Sequence, residues 1–321
     1  MATRTSRPRL NPKDEDVLYV KLPNRTSFRT IQKTLAQLDD VLRMGSDAPT
    51  KTLLLDLSSV VFCSATAITI LAALLEHLFQ RGKLSGGQIW LPKSQMALNY
   101  LQRMNFFDEL EIPLPETFVR REPRNFLPVT HVAQEKACID VTRELVGPCQ
   151  RALKVEQGTV SALKACVSEI IENVFAHAQS PTDALVSSQA YKSKERIELV
   201  IADTGRGVKD AFAESEKYAD RRMSDCEAIR FAMQKHVSTT DDSRRGIGLW
   251  FVSEMARANK GEFLMLSKEG GVRINETTNQ DVDHLYWPGT FVAIEFRLDM
   301  PINMNDVYAS GDFASVDSLS F

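Results

Sequence analysis

Between Val160 and Ala178, apolar residues recur with a helical period. Leu163, Cys166, Val167, Ile170, Ile171, Val174 and Phe175 form one face made for a core. Glu169, Asn173 and His177 recur every fourth residue on a separate stripe, so they stack along one side of that helix. Arg196–Ala202 reads as a strand entering a core and ending at Asp203-Thr-Gly205-Arg-Gly207. A further helical pattern (Leu249, Phe251, Val252, Met255, Ala256) opens just after Arg245-Gly246-Ile-Gly248. In the first half, Thr52–Leu57 is a short apolar run consistent with a buried strand, and Ala67–Leu78 an apolar helix. Gly86–Pro92 reads as a second strand and Ser94–Met104 as a Ser-capped helix. A helix is also expected over Val132–Leu153, interrupted near Gly147-Pro148. Strands alternating with helices indicate an α/β layer fold.

Length and composition divide this pattern. A chain of 321 residues suggests two domains. The segment from Pro113 to Pro128, with Pro115, Pro123, Arg120, Arg121 and Arg124, resists regular structure and reads as a linker. The expected organisation is a basic tail (1–13), a first domain (14–112), a linker (113–131), a second domain (132–300) and a polar tail (301–321). With 43% hydrophobic and 25% charged residues the chain is an ordinary globular protein. A net charge of −3 supplies no broad basic field for direct nucleic-acid binding. The basic tail lacks the apolar segment of a secretion signal, and no run is apolar enough to span a membrane. The five cysteines form no CxxC pair, and their odd number argues for thiols in a reducing cytosol. A cytoplasmic location is expected.

Three segments carry candidate chemistry. The amide oxygen of Asn173 can ligate Mg²⁺, a hard cation, and Glu169 one turn earlier can polarise a water or hydroxyl for attack on phosphorus. The same two residues would also suit a solvated helix face. Asp203 at a strand end would accept from an amine such as the exocyclic nitrogen of adenine. Gly205 and Gly207 allow a ligand close to the backbone, although Asp-Gly turns are common. Gly246 and Gly248 open a helix whose free N–H groups suit phosphate, with Arg244 and Arg245 adding positive charge.

In their order, these segments resemble the N, G1 and G2 boxes of the GHKL superfamily of ATPases and kinases, over about Cys138 to Leu298. The resemblance implies an α+β sandwich of the Bergerat type that binds ATP with Mg²⁺. Glu169 then matches the general base, Asn173 the metal ligand and Asp203 the adenine acceptor. Gly205, Gly207, Gly246 and Gly248 match the loop glycines, with Arg245 beside the phosphates. Lys209–Arg244 would be the mobile ATP lid, and Thr290 in Gly289-Thr290-Phe291 would help hold the base; the role of His177 is open. Among His77, His131, His177, His236 and His284, only His131 precedes this region in a suitable place. Its context lacks the acidic residue and proline of a phosphoaccepting helix, which argues against a self-phosphorylating histidine kinase. His77 is expected at a helix surface and His131 in the linker.

The first half, about Asp16 to Leu110, resembles the STAS domain of anti-sigma-factor antagonists. That resemblance implies a protein partner and a phosphoacceptor at Ser64, with Thr66 nearby. Here Cys63-Ser64-Ala65-Thr66 replaces the family's acidic residue and glycine, and Ser64 equally suits a helix cap. Three functions follow: a nucleotide-driven switch with slow ATP turnover, a serine/threonine kinase acting on a STAS partner or on Ser64, or a non-catalytic nucleotide-binding scaffold. GHKL domains often work as dimers, so a homodimer is left open.

Overall fold

The computed structural model describes residues 10–43, 48–120, 125–132, 138–152, 155–173, 184–237, 248–283, 285–302 and 307. The first half contains β1 (Val17–Lys21), β2 (Arg25–Thr26), α1 (Ile31–Ala36), α2 (Asp39–Leu42), β3 (Lys51–Asp56), β4 (Phe62–Cys63) and α3 (Ala65–Gln80). It ends with β5 (Leu84–Trp90), α4 (Gln95–Arg103) and α5 (Phe106–Glu109). Strands β1, β3 and β5 form a parallel sheet in that order, and β2 pairs with β4. Ser64 and Ser94 cap α3 and α4, each accepting a hydrogen bond from the backbone N–H three residues on. Helix α3 is apolar on nearly every side, and a helix of that kind must be buried all round.

The second half supplies what buries it. Its elements are β6 (Phe126–Val132), α6 (Cys138–Ala152), α7 (Gln157–Asn173), β7 (Ala184–Tyr191), β8 (Arg196–Asp203), α8 (Val208–Ala213) and α9 (Asp225–Ala232). They continue with α10 (Gly248–Ala258), β9 (Glu262–Lys268), β10 (Gly270–Asn275), β11 (Asn279–Asp281) and β12 (Trp287–Arg297). The strands make a seven-stranded antiparallel sheet, β11-β10-β9-β12-β8-β7-β6.

Alternation along β8 separates the sheet's two faces. Ile197, Leu199 and Ile201 join a core with Val167, Ile170 and Ile171 of α7 and Phe251 and Val252 of α10. Val200 and Ala202 point the other way and share a core with Ile68, Leu71 and Leu75 of α3. Leu264, Leu266, Phe291 and Ala293 from β9 and β12 lie in this second core too. The sheet is thus filled on one face by its own helices and on the other by the first half of the chain. Two buried polar contacts cross the junction: Thr69 Oγ1 meets Ser187 Oγ at 2.6 Å, and Thr66 Oγ1 donates to Glu198 Oε2 at 3.0 Å.

Several expectations change. Residues 126–131, expected in the linker, and Val132, expected to open a helix, form the edge strand β6 of the large sheet, where the missing N–H of Pro128 is tolerated. His131 lies on this strand, with Nε2 2.6 Å from Glu109 Oε2. Helix α6 runs on through Gly147-Pro148, anchored by fully buried Leu145 and Val146 and by Ser188 Oγ, which donates to the Leu145 carbonyl. His77 is buried at 4% exposure, not at a surface, because α3 has no solvent-facing side. Burial first, and then Arg81 and Lys268, hold its imidazole down at about 4, so it is neutral. The segment expected as a lid contains α8 and α9, with a small core of Phe212, Tyr218 and Phe231. Its last part, 238–244, lies outside the described residues.

Candidate functional site

Asp203 ends β8 and continues the parity of Ile197, Leu199 and Ile201, so its side chain lies on the face covered by α7 and α10. It is 1% exposed. Oδ1 accepts the Gly205 N–H at 2.8 Å, whereas Oδ2 is buried with no hydrogen-bond partner among the described residues. Burial pushes the carboxyl up to about 6, against the pull of the Gly205 and Thr290 N–H groups. A buried acceptor without a donor is costly.

The loop after Asp203 is fastened from several sides. Thr290 of β12 pairs directly with Asp203 in the sheet, and Trp287 Nε1 donates to the Asp203 carbonyl at 2.7 Å. Gly289 lies so close that a Cβ there would fall 2.4 Å from Gly205 N and 2.5 Å from Asp203 Oδ1, so no side chain fits. Gly207 adopts φ +83 at the start of α8, a conformation that favours glycine. Ser267 Oγ accepts the Val208 N–H at 2.9 Å and donates to the Gly289 carbonyl at 2.8 Å. Lys268 Nζ donates to the carbonyls of Gly205 (3.3 Å) and Pro288 (2.6 Å). Asp203–Val208 is therefore a cradle held by side chains from β9 and β12.

The other two segments converge on each other. Glu169 and Asn173 are half-buried near the end of α7. Gly248 begins α10 directly against Glu169: a Cβ there would sit 2.2 Å from Glu169 Oε2. The packing of α7 on α10 thus brings the carboxylate to the start of the glycine-opened helix. Arg244, Arg245, Gly246 and His177 lie outside the described residues. Lys268, Ser267 and Trp287 were not singled out from sequence; they are single residues on strands, with no spacing to mark them.

Ser64 is fully buried on the opposite face of the sheet. Its hydroxyl accepts the Ala67 N–H at 3.4 Å and hydrogen-bonds Glu198. The structure therefore places Glu169 and Ser64 on different sides of the β layer, with α3 capped by the residue the STAS resemblance marks as a phosphoacceptor.

No curated protein matches the chain. Residues 132–262 match the family model described as the histidine kinase-like ATPase domain. The matched stretch contains Glu169, Asn173, Asp203, Gly205, Gly207, Arg245, Gly246 and Gly248, while Thr290 lies beyond it. The fastened Asp203 loop and the meeting of α7 with α10 thus lie within a stretch that is similar to the histidine kinase-like ATPase domain.

Proposed function

We propose that the chain is an ATP-binding signalling or regulatory protein in which nucleotide occupancy is transmitted to a STAS-like first half and from there to a protein partner. The observation that carries this reading is the unpartnered Oδ2 of Asp203, a buried acceptor at the end of a strand whose following loop is already fixed. The adenine amine supplies the missing donor. Thr290, paired opposite Asp203, adds a hydroxyl on the same side, and Gly205 and Gly207 leave room for the base.

Asn173 would give one oxygen to Mg²⁺, with phosphate oxygens and water completing its shell. Among the described residues no group of three or more His, Cys, Asp or Glu lies together, so the metal would arrive with the nucleotide. Arg245 and the N–H groups around Gly246 and Gly248 would take the outer phosphates. Glu169, packed against Gly248, is suited to orient and deprotonate a water, and a carboxylate at this place supports turnover as part of this reading. Transfer to a hydroxyl on a separate STAS partner uses the same geometry. Transfer to Ser64 of the same chain requires the two halves to part, because the sheet lies between them. The buried thiols of Cys63, Cys138 and Cys166 support a reducing cytoplasm, and no helix among the described residues is long and apolar enough to cross a membrane.

Asp203→Asn tests the site. It replaces the free acceptor with an amide whose N–H₂ faces the base amine, and losing a charge-assisted hydrogen bond costs about 1.5–3 kcal/mol, roughly ten- to a hundred-fold in Kd. Calorimetry with Mg-ATP should show that loss; unchanged affinity would remove the adenine assignment. Labelled γ-phosphate then separates the activities: free phosphate marks hydrolysis, label on protein marks a kinase, and neither marks a binder.

A further inference from the structure

Arg43, at the end of α2 in the first half, reaches across the junction to two turns of the second. Its guanidinium pairs with Glu269 and lies over the Tyr286 ring at 5.2 Å, while Asp39 Oδ2 steadies Nε at 2.6 Å. Glu269 directly follows Lys268, and Tyr286 directly precedes Trp287. Lys268 is the residue whose ammonium holds the Gly205 and Pro288 carbonyls, and Trp287 the one whose indole holds the Asp203 carbonyl. One cation thus grips the chain next to two of the side chains that fasten the cradle. Neither of its partners belongs to the three motif segments, and Arg43 lies more than 120 residues before the first of them.

We propose that Arg43 is a positioning residue for the nucleotide-base site, acting from the first half of the chain through Glu269–Lys268 and Tyr286–Trp287. The inference rests on the nucleotide reading of the Asp203 loop. With Arg43 in place, the β9–β10 turn and the start of β12 are held at one spacing, and Gly205 stays where the base needs it. When the first half shifts on binding a partner, the clip moves and the cradle loosens. Linkage requires the converse too: nucleotide that prefers the fixed cradle strengthens the docking of the first half.

The test is a double-mutant cycle on the full chain, read as the Kd for ADP by calorimetry. Arg43→Gln should weaken ADP by about five- to twenty-fold, at the lower end of measured couplings between sites. Lys268→Met should weaken it as well, and Arg43→Gln added to Lys268→Met should weaken Kd by a smaller factor than Arg43→Gln does alone, since one arm of the relay is already cut. Arg120→Gln, which removes ion pairs to Asp108 and Glu116 within the first half, should leave Kd unchanged and controls for general loosening. A purely structural Arg43 would lower the thermal midpoint without moving Kd. Wild-type ADP binding together with an unaltered Kd in Arg43→Gln overturns the proposal, as do fully additive losses with Lys268→Met. Absence of ADP binding by the wild-type chain overturns the nucleotide reading and the proposal together.

Discussion

Glu198 is a carboxyl in the middle of a sheet, and replacing it with Gln should make the protein more stable at mildly alkaline pH. The side chain is 4% exposed and lies between Thr66 at 3.0 Å, Tyr191 at 3.4 Å and Ser64. Its neighbour across the β8–β12 ladder is a second carboxylate, Glu295. Burial and, after it, Glu295 push Glu198 up to about 7, although the hydroxyls of Thr66 and Ser64 pull the other way. In the unfolded chain the group titrates near its ordinary value of 4.5. Below that pH both states hold the proton. As pH rises from there through 7, the unfolded chain releases it and the folded chain keeps it, so stability falls across this window and levels off above it. The gap corresponds to a loss on the order of 3 kcal/mol. Gln does not titrate, can accept from Thr66, and can donate to the Tyr191 or Ser64 oxygen.

The assay is urea unfolding of wild type and Glu198→Gln at pH 5 and pH 8. Asp203 adds a loss of the same sign, being raised to about 6, and His77 adds the opposite one, since its depressed value removes stability as pH falls from 6.5 toward 4. The difference between the two proteins cancels both. The expected result is near-equality at pH 5 and an advantage for Glu198→Gln at pH 8. A difference independent of pH, or a less stable variant at pH 8, would refute the reasoning.

Thr69→Val should cost about 1–3 kcal/mol by stranding the buried Ser187 hydroxyl, and Thr69→Val with Ser187→Ala should recover part of it; additive losses in thermal unfolding would count against a coupled pair. Glu169→Ala should retain nucleotide binding and lose phosphate release by at least about a hundredfold, the lower range for a general base, and turnover at the wild-type rate would end that role.

Elements with one clean period were legible in the sequence. Helix α3 and strand β3 carry apolar runs, α7 a helical apolar stripe and β8 an apolar alternation, and with β5 each forms close to its expected range, the last part of the α7 stretch (174–178) lying outside the described residues. Strand β7 was not, because its buried positions include Ser187, Ser188 and Gln189, made tolerable only by partners far away in sequence. Strand β6 was hidden by Pro128 and by an irregularity between Leu127 and Thr130, both compatible with a sheet edge. At the candidate site, Asp203, Gly205 and Gly207 stand out because strand, acid and glycines are contiguous. Lys268 and Trp287 do not, since each acts through backbone carbonyls that only the folded chain brings near. The burial of His77 has the same origin: nothing local to α3 tells which element covers it.

The cover that α3 provides for the β sheet is tethered to it. A docked helix on the same chain faces its site at an effective concentration in the millimolar range. A separate protein present at about 1 μM and aiming for the apolar strip of Leu264, Leu266, Phe291 and Ala293 therefore starts roughly a thousandfold behind, about 4 kcal/mol at equal intrinsic affinity. Outside ligands are better served by the surfaces of the first half that face away from the sheet, and a free-standing second half that keeps β9 and β12 but lacks α3 would leave that strip uncovered.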